Sequence, residues 1–172
     1  DPIAHWSDDW LVPTGQIGEV VVSGPVVSAE YHGLPEANRH AKIVDGIRIW
    51  HRMGDVGYMD PQGRLWFCGR KAHRVNELYT ICVEGIFNVH PAVKRTALVG
   101  VGTKPVLCVE KEKDRATADE ILKTELLDLG QRHELTKNIK DILFHPNFPV
   151  DIRHNAKIFR DKLAVWASGQ MS

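Results

Sequence analysis

The chain has 172 residues, of which 43% are hydrophobic, and its 22 Lys and Arg residues balance 22 Asp and Glu residues. This length predicts one or two domains with enough apolar content to bury a core. The balanced charge excludes an electrostatic nucleic-acid binder and a polybasic membrane binder, because both need an excess of positive charge.

Residues 1–70 predict an antiparallel β module. Within it, residues 42–50 predict a hairpin in which Asp45 and Gly46 supply the two positive-φ positions of a type I′ turn. Residues 60–63 place Asp, Pro and Gly where a type I turn prefers them, which predicts a second hairpin. A sheet of about 70 residues makes a marginal core by itself, so we expect it to be the end of a larger domain.

The rest of the chain predicts a linker followed by a small domain. Residues 71–79 are polar and lack a clear period, as is typical of a linker. Hydrophobic patterning beyond it predicts helices at residues 83–90 (ended by Pro91) and 159–167, and strands at residues 97–101, 106–109 and 142–144.

One more helix is predicted from its start signal. Thr117 and Glu120 have the spacing of a capping box, and Gly130 is placed to end the helix. Its apolar stripe consists of Ala118, Ile121, Leu122, Leu126 and Leu129. The predicted fold class is therefore α+β, with an antiparallel β module at residues 1–70, a hinge and linker at 71–79, and a small C-terminal α+β domain at 80–172.

Nine histidines raise the question of a metal site. No two of them have the i, i+4 spacing that places two imidazoles on one helix face, and no carboxylate-flanked pair stands out. We therefore predict no metal ligands among these residues. A Gly-x-Ser-x-Gly nucleophile elbow is also absent from the sequence.

The cysteines point to a cellular compartment. Cys68, Cys82 and Cys108 are odd in number and widely spaced, which favours a reducing cytoplasm over a disulfide framework. No apolar run approaches the roughly 18 residues of a membrane span, so no transmembrane segment is expected. The first residue is Asp1 rather than Met, and we expect the sequence to be part of a longer protein.

Five short stretches stand in a characteristic order along the chain. They are residues 18–25 (GEVVVSGP), 31–37 (YHGLPEA), 52–60 (RMGDVGYMD), 63–70 (GRLWFCGR) and 155–160 (NAKIFR). In this order they resemble the second half of the adenylate-forming enzymes, which include acyl-CoA synthetases, luciferases and peptide-synthetase adenylation domains. The resemblance extends over nearly the whole chain, and it implies a small mobile C-terminal domain that follows a hinge.

The resemblance assigns roles to three residues. Asp55 matches the carboxylate that binds the ribose hydroxyls of ATP, and Arg70 matches the arginine that also contacts the ribose before the hinge. Lys157 matches the catalytic lysine that bridges the attacking carboxylate and the α-phosphate during adenylation. ATP and Mg²⁺ are the implied cofactors, with the Mg²⁺ ligand expected in the N-terminal region that this sequence does not include.

Some positions depart from the family pattern. Ala72 stands where the family usually has the Asp or Lys on which its C-terminal domain rotates. Residues 76–79 do not show the segment that lines the pantetheine tunnel in thioester-forming members, and the stretch from Arg70 to Glu84 is about two residues short. Asn155 and Ala156 replace the usual Ser/Thr-Gly before the lysine.

Residues 69–75 and 148–160 resemble one branch of the family, the β-lactone synthetases of bacterial olefin biosynthesis. This resemblance implies that ATP drives closure of a long-chain β-hydroxy acid to a β-lactone, with release of AMP and pyrophosphate. The substrate's own hydroxyl can attack the acyl-adenylate, so a thiol tunnel is unnecessary. The implied partners are ATP, a fatty or β-hydroxy fatty acid, and other enzymes of the same pathway.

Two alternatives remain open at this point. The first is a long-chain acyl-CoA or acyl-AMP ligase, and the second is a non-catalytic module that retains the fold. Joint retention of Asp55, Arg70 and Lys157 speaks against the second, because a module without catalysis need not keep all three. We expect the 172 residues alone to be inactive, since the family's Gly-rich phosphate loop and acyl pocket are not among them.

Overall fold

The computed structural model describes residues 1–115 and 117–171, with the backbone alone at residues 154–156. The chain forms two compact units, Asp1–Ala72 and His73–Ser172. Together they have the predicted α+β composition, and in the described part of the chain no helix is both long enough and apolar enough to cross a bilayer. The assignment of residues 71–79 as hinge and linker stays a prediction.

The first unit is an antiparallel sheet built around one long strand. Its strands are β1 (Gly18–Val22), β2 (Lys42–Asp45), β3 (Arg48–Met59) and β4 (Leu65–Arg70). The central strand β3 pairs with each of the other three. The antiparallel sheet predicted for this part of the chain is confirmed.

A short helix, α1 (Pro35–Ala41), was not predicted from the sequence. Pro35 lies in its first turn, where a fixed φ favours a helix start. Asn38 ties the helix to the preceding loop, because its side chain accepts the Tyr31 amide at 2.6 Å and donates to the Tyr31 carbonyl at 3.0 Å. These hydrogen bonds fix the position of the helix relative to the loop before it.

The first hairpin was predicted correctly, but its turn type was wrong. Asp45 pairs with Arg48, so the loop consists of Gly46 and Ile47 rather than Asp45 and Gly46. Gly46 has φ +60°, whereas Ile47 is not among the described residues with positive φ. A single positive φ at the first loop position is typical of a type II′ turn, while type I′ needs two.

The second hairpin has the predicted turn. The Gly63 amide donates to the Asp60 carbonyl at 2.9 Å, which closes the turn. The Asp60 carboxylate also accepts the Arg64 amide at 2.9 Å and the Trp66 indole at 2.8 Å. Hydrogen bonds from Trp66 and Arg64 lower the pKa of Asp60, so this carboxylate stays ionised and holds β3 and β4 in register.

The second unit has a three-stranded sheet with helices on both faces. Its elements are α2 (Thr80–Phe87), β5 (Val93–Val101), β6 (Lys104–Lys111), α3 (Asp119–Gln131), β7 (Asp141–Phe144), β8 (Val150–Asp151), β9 (His154–Ile158) and α4 (Arg160–Gln170). The strand order is β5-β6-β7, with β5 antiparallel and β7 parallel to β6. The strands β8 and β9 form a separate hairpin that the sequence did not indicate.

Each face of this sheet buries its own apolar cluster. One cluster packs α2 and α3 on the sheet and contains Phe87, Leu107, Leu122 and Leu126. The other lies beneath α4 and contains Phe148 and Leu163 among others. A fully buried side chain of this size contributes about 1.5–3 kcal/mol, so the two clusters account for a stable unit.

The helix predicted at residues 83–90 is α2, and it begins and ends about three residues earlier. Pro91 disfavours a helical conformation at the preceding residue, so the helix cannot continue to His90. The side chain of Asn88, directly after the helix, accepts the Thr96 hydroxyl at 2.9 Å and fixes the exit of the chain toward β5.

The predicted capping box at Thr117 and Glu120 is wrong. α3 starts at Asp119 with Ala118 as its cap residue, and no side chain caps it. The Thr117 carbonyl instead accepts Lys111 Nζ at 3.1 Å, and the same ammonium binds the Asp119 carboxylate at 2.5 Å. Lys111, from strand β6, therefore binds both the residue before the helix cap and the first residue of the helix.

Gly130 does not end α3, which continues to Gln131. A Cβ at this position would lie 3.0 Å from Phe87 Cζ, closer than side-chain atoms normally approach. The glycine therefore allows α2 and α3 to pack closely. Ile121, placed on the buried stripe by the sequence, is 57% exposed, and the buried positions are Leu122, Leu126 and Gly130.

Candidate functional site

Asp55 and Arg70 are brought together by the register of β3 and β4. The two residues are direct cross-strand partners, and Arg70 Nε lies 3.1 Å from Asp55 Oδ1. The Arg70 guanidinium also donates from Nη1 to the Met53 carbonyl at 3.2 Å. The resemblance assigned both residues to one task, and the fold places them side by side.

A bulge in β3 orients the Asp55 side chain and the Met53 carbonyl. Between the pairs Val21–Arg52 and Glu19–Val56, β3 contains two more residues than β1. The extra length lies at Gly54, whose φ of +67° is a conformation that other residues rarely adopt. β-Bulges redirect side chains next to functional sites, and this one turns the Met53 carbonyl toward Arg70.

The Asp55 carboxylate has acceptor capacity that the chain does not use. Its Oδ1 atom is buried, yet among the described residues it accepts no aligned hydrogen bond, because Arg70 Nε is close but not directed at it. A ligand hydroxyl can donate to this carboxylate, which can accept from two neighbouring hydroxyls at once.

A second charged group, for which no role was predicted, lies on β1 of the same sheet. Glu19 Oε2 accepts Arg52 Nη2 at 2.7 Å and Lys71 Nζ at 2.8 Å. Burial raises the pKa of Glu19, but the hydrogen bonds from Arg52 and Lys71 outweigh it and lower the pKa below its usual value. Glu19 therefore holds Arg52, at the start of the bulged segment, and Lys71, the residue after Arg70.

Lys157 lies in the second unit, on strand β9, with an exposed side chain. Within the described part of the chain its side chain makes no hydrogen bond or ion pair. Hydrogen bonds from Arg153, and to a lesser degree the charge of Lys157, lower the pKa of Asp151. The Lys157 side chain is thus exposed and, among the described residues, not held by a hydrogen bond, although its charge acts on Asp151.

The end of β9 is fixed by a buried ion pair. Arg160 donates from Nη1 and Nη2 to the two carboxylate oxygens of Glu84, at 2.6 Å and 2.9 Å. Arg160 Nη1 also donates to the Leu98 carbonyl at 3.1 Å, and the Leu98 amide donates to Glu84 at 2.8 Å. Arg160 belongs to one of the five motif stretches, but no role was predicted for it, because its partner Glu84 is distant in the chain.

The segment before the β8–β9 hairpin is held in a similar way. Glu110 is almost fully buried and accepts the Phe148 amide at 2.9 Å, together with the side chains of Lys94 and Arg95. Burial raises the pKa of Glu110, but the hydrogen bonds from Lys94, Phe148 and Arg95 outweigh this effect and lower it.

Among the described residues, no group of three or more His, Cys, Asp or Glu side chains could hold a metal ion. The three cysteines all lie among the described residues and none of them forms a disulfide, and burial raises the pKa of Cys108 to about 12, which keeps it a neutral thiol.

Comparison with known proteins places the chain in a family. It is 52% identical over 98% of its length to an olefin beta-lactone synthetase from Xanthomonas campestris pv. campestris, and 47% identical over 99% of its length to one from Stenotrophomonas maltophilia. It superimposes on a benzoate CoA ligase from Burkholderia xenovorans with a TM-score of 0.76, 29% identity and 89% of the chain covered. The chain belongs to the adenylate-forming enzymes.

The match covers a C-terminal part of these relatives. The chain spans 33% of each olefin beta-lactone synthetase and 31% of the benzoate CoA ligase. No protein-family model matches the sequence. The family assignment made from five short stretches of sequence is confirmed, whereas the roles of Asp55, Arg70 and Lys157 stay predictions.

Proposed function

We propose that the full-length protein containing this chain activates a long-chain β-hydroxy acid with ATP and closes it to a β-lactone. In the first step a carboxylate oxygen attacks the α-phosphorus of ATP and pyrophosphate leaves. In the second, the substrate's β-hydroxyl oxygen attacks the acyl carbon, loses its proton, and displaces AMP. The relatives' name and the high identity to them support the choice of product.

The pairing of Asp55 with Arg70 is the observation that carries the nucleotide part of this proposal. Asp55 offers a buried, unsatisfied carboxylate oxygen beside a fixed guanidinium. Vicinal ribose hydroxyls are two adjacent donors, which is the chemistry that such a carboxylate accepts. Arg70 contributes a donor to a ribose oxygen.

Lys157 is proposed to act in adenylation. Negative charge builds up on the carboxylate and the α-phosphate as they approach, and an ammonium with three donors stabilises that charge. The side chain is exposed and its ammonium makes no competing contact within the described residues, so it can bind these groups without breaking an ion pair.

The substrate class and the compartment belong to the same proposal. A fatty β-hydroxy acid and other enzymes of the same pathway are the proposed partners, and Mg²⁺ is proposed to bind outside the described residues. The lack of a disulfide among the three described cysteines fits a reducing cytoplasm, where the proposed substrate and ATP are available.

The products of the full-length protein test the proposal. A β-hydroxy fatty acid and ATP, without CoA, should give AMP, pyrophosphate and a β-lactone in equal amounts. An acyl-CoA formed only when CoA is added, with no lactone in its absence, would replace this function by a CoA ligase activity. If no acid supports pyrophosphate release, the proposed adenylation activity is wrong.

A further inference from the structure

The segment that carries Lys157 is held at both ends by buried carboxylates. Residues 148–160 run from the Phe148 amide, which donates to Glu110, to the Arg160 guanidinium, which binds Glu84. We propose that Glu84, Arg160 and Glu110 are positioning residues that set the location of Lys157. This inference rests on the proposed role of Lys157 in adenylation.

The Arg160 anchor has three donors in defined directions. Two parallel hydrogen bonds reach Glu84 and a third reaches the Leu98 carbonyl, while Glu84 accepts the Leu98 amide in return. The side chains of Arg160 and Glu84 are only 13% and 6% exposed. Such a closed arrangement fixes the angle as well as the position of the chain at the junction of β9 and α4.

The other end is tied to the first by backbone hydrogen bonds. The Phe159 amide donates to the Pro149 carbonyl at 2.8 Å, and Val150 pairs with Ile158 across the hairpin. Lys157 is therefore one residue from this pairing and three from Arg160, a path of at most about 10 Å along the chain. A displacement of either anchor is transmitted to the backbone of Lys157 over that short distance.

A need for stability alone does not explain these buried charges. Apolar residues of similar volume often replace a buried ion pair without loss of stability. A requirement for precise placement explains them better, because a lysine ammonium sits on a flexible four-carbon stem and only its backbone can be preorganised. A misplacement of about 1 Å in a catalytic group can lower a rate by about 10²-fold.

Arg160→Lys in the full-length protein tests the inference. This variant keeps the charge but loses the parallel pair of hydrogen bonds to Glu84. We expect kcat for pyrophosphate release to fall about 10- to 100-fold, with the KM for ATP changed less than about threefold. The control is Ile142→Val, a buried core change in the same unit away from residues 148–160, which should leave kcat unchanged.

A combination with Lys157→Ala separates positioning from a merely structural role. If Arg160 acts through Lys157, adding Arg160→Lys to Lys157→Ala should lower kcat no further. The inference would be overturned if Arg160→Lys lowered kcat by the same factor in the wild type and in Lys157→Ala. An unchanged kcat in both Arg160→Lys and Glu84→Gln would overturn it as well. If Lys157→Ala itself adenylates at the wild-type rate, the proposed role of the lysine fails, and this inference fails with it.

Discussion

Replacement of Lys157 by alanine in the full-length protein should remove one interaction of the transition state and little else. The side chain is exposed and has no hydrogen-bonded partner among the described residues, so its loss should change the free energy of unfolding by less than about 0.5 kcal/mol. A fall in rate would therefore report on chemistry rather than on folding.

The expected fall in adenylation rate is about 10²–10³-fold, the effect of deleting one preorganised group that stabilises developing charge. KM values for ATP and the acid should change much less, since the charge on the α-phosphate and carboxylate builds up only as they meet. Pyrophosphate release under saturating substrates measures this rate. Lys113→Ala, at another exposed lysine of the same unit, is the matched control and should behave as wild type.

A preformed β-hydroxyacyl-adenylate should restore most of the lactone formation in Lys157→Ala, because the step that needs the lysine has then been passed. Lactone is quantified against time with the adenylate as the sole substrate. Near wild-type adenylation by the variant, or an equal loss with the preformed adenylate, would refute the assignment of Lys157.

Three other predictions concern binding and stability. Asp55→Ala in the full-length protein should lower kcat/KM for ATP by about 10- to 150-fold, the value of one charged hydrogen-bonding partner, and unchanged kinetics would remove Asp55 from the site. The pKa of Glu110 is lowered in the folded state, so its contribution to stability is present above its ordinary pKa of 4.5 and is lost as pH falls below that value. Glu110→Gln should therefore reduce the loss of stability at acid pH, measured as the free energy of unfolding in urea at a series of pH values. Gly130→Ala should destabilise the chain by about 1–3 kcal/mol through its contact with Phe87, whereas Gly85→Ala, with open space around its Cβ, should stabilise it by about 0.5–1 kcal/mol in thermal unfolding.

Features set by neighbouring residues were predictable from the sequence. The Asp60–Gly63 turn depends on four consecutive residues, and the structure contains it. The family was also predictable, because its motifs keep their order along the chain. The family pattern assigned Asp55 and Arg70 to the same ribose, but their direct pairing was not predicted, because it depends on how β3 and β4 pair, including a register shift between Val56 and Gly57.

Features set by distant residues were not predictable. The capping box failed because Lys111, from the preceding strand, occupies the start of α3. Gly130 was misread as a helix end because its actual neighbour, Phe87, belongs to another helix. The ion pair of Glu84 and Arg160 joins residues 76 positions apart, and nothing local in either stretch indicates the other.

The anchors of Lys157 have a consequence for protein engineering. Glu84, Glu110 and Arg160 all belong to the same compact unit as the lysine, His73–Ser172. These three anchors are therefore encoded within that unit and should be inherited with it when the unit is exchanged. A hybrid enzyme joined between Ala72 and His73 would receive the lysine together with the three residues proposed to position it.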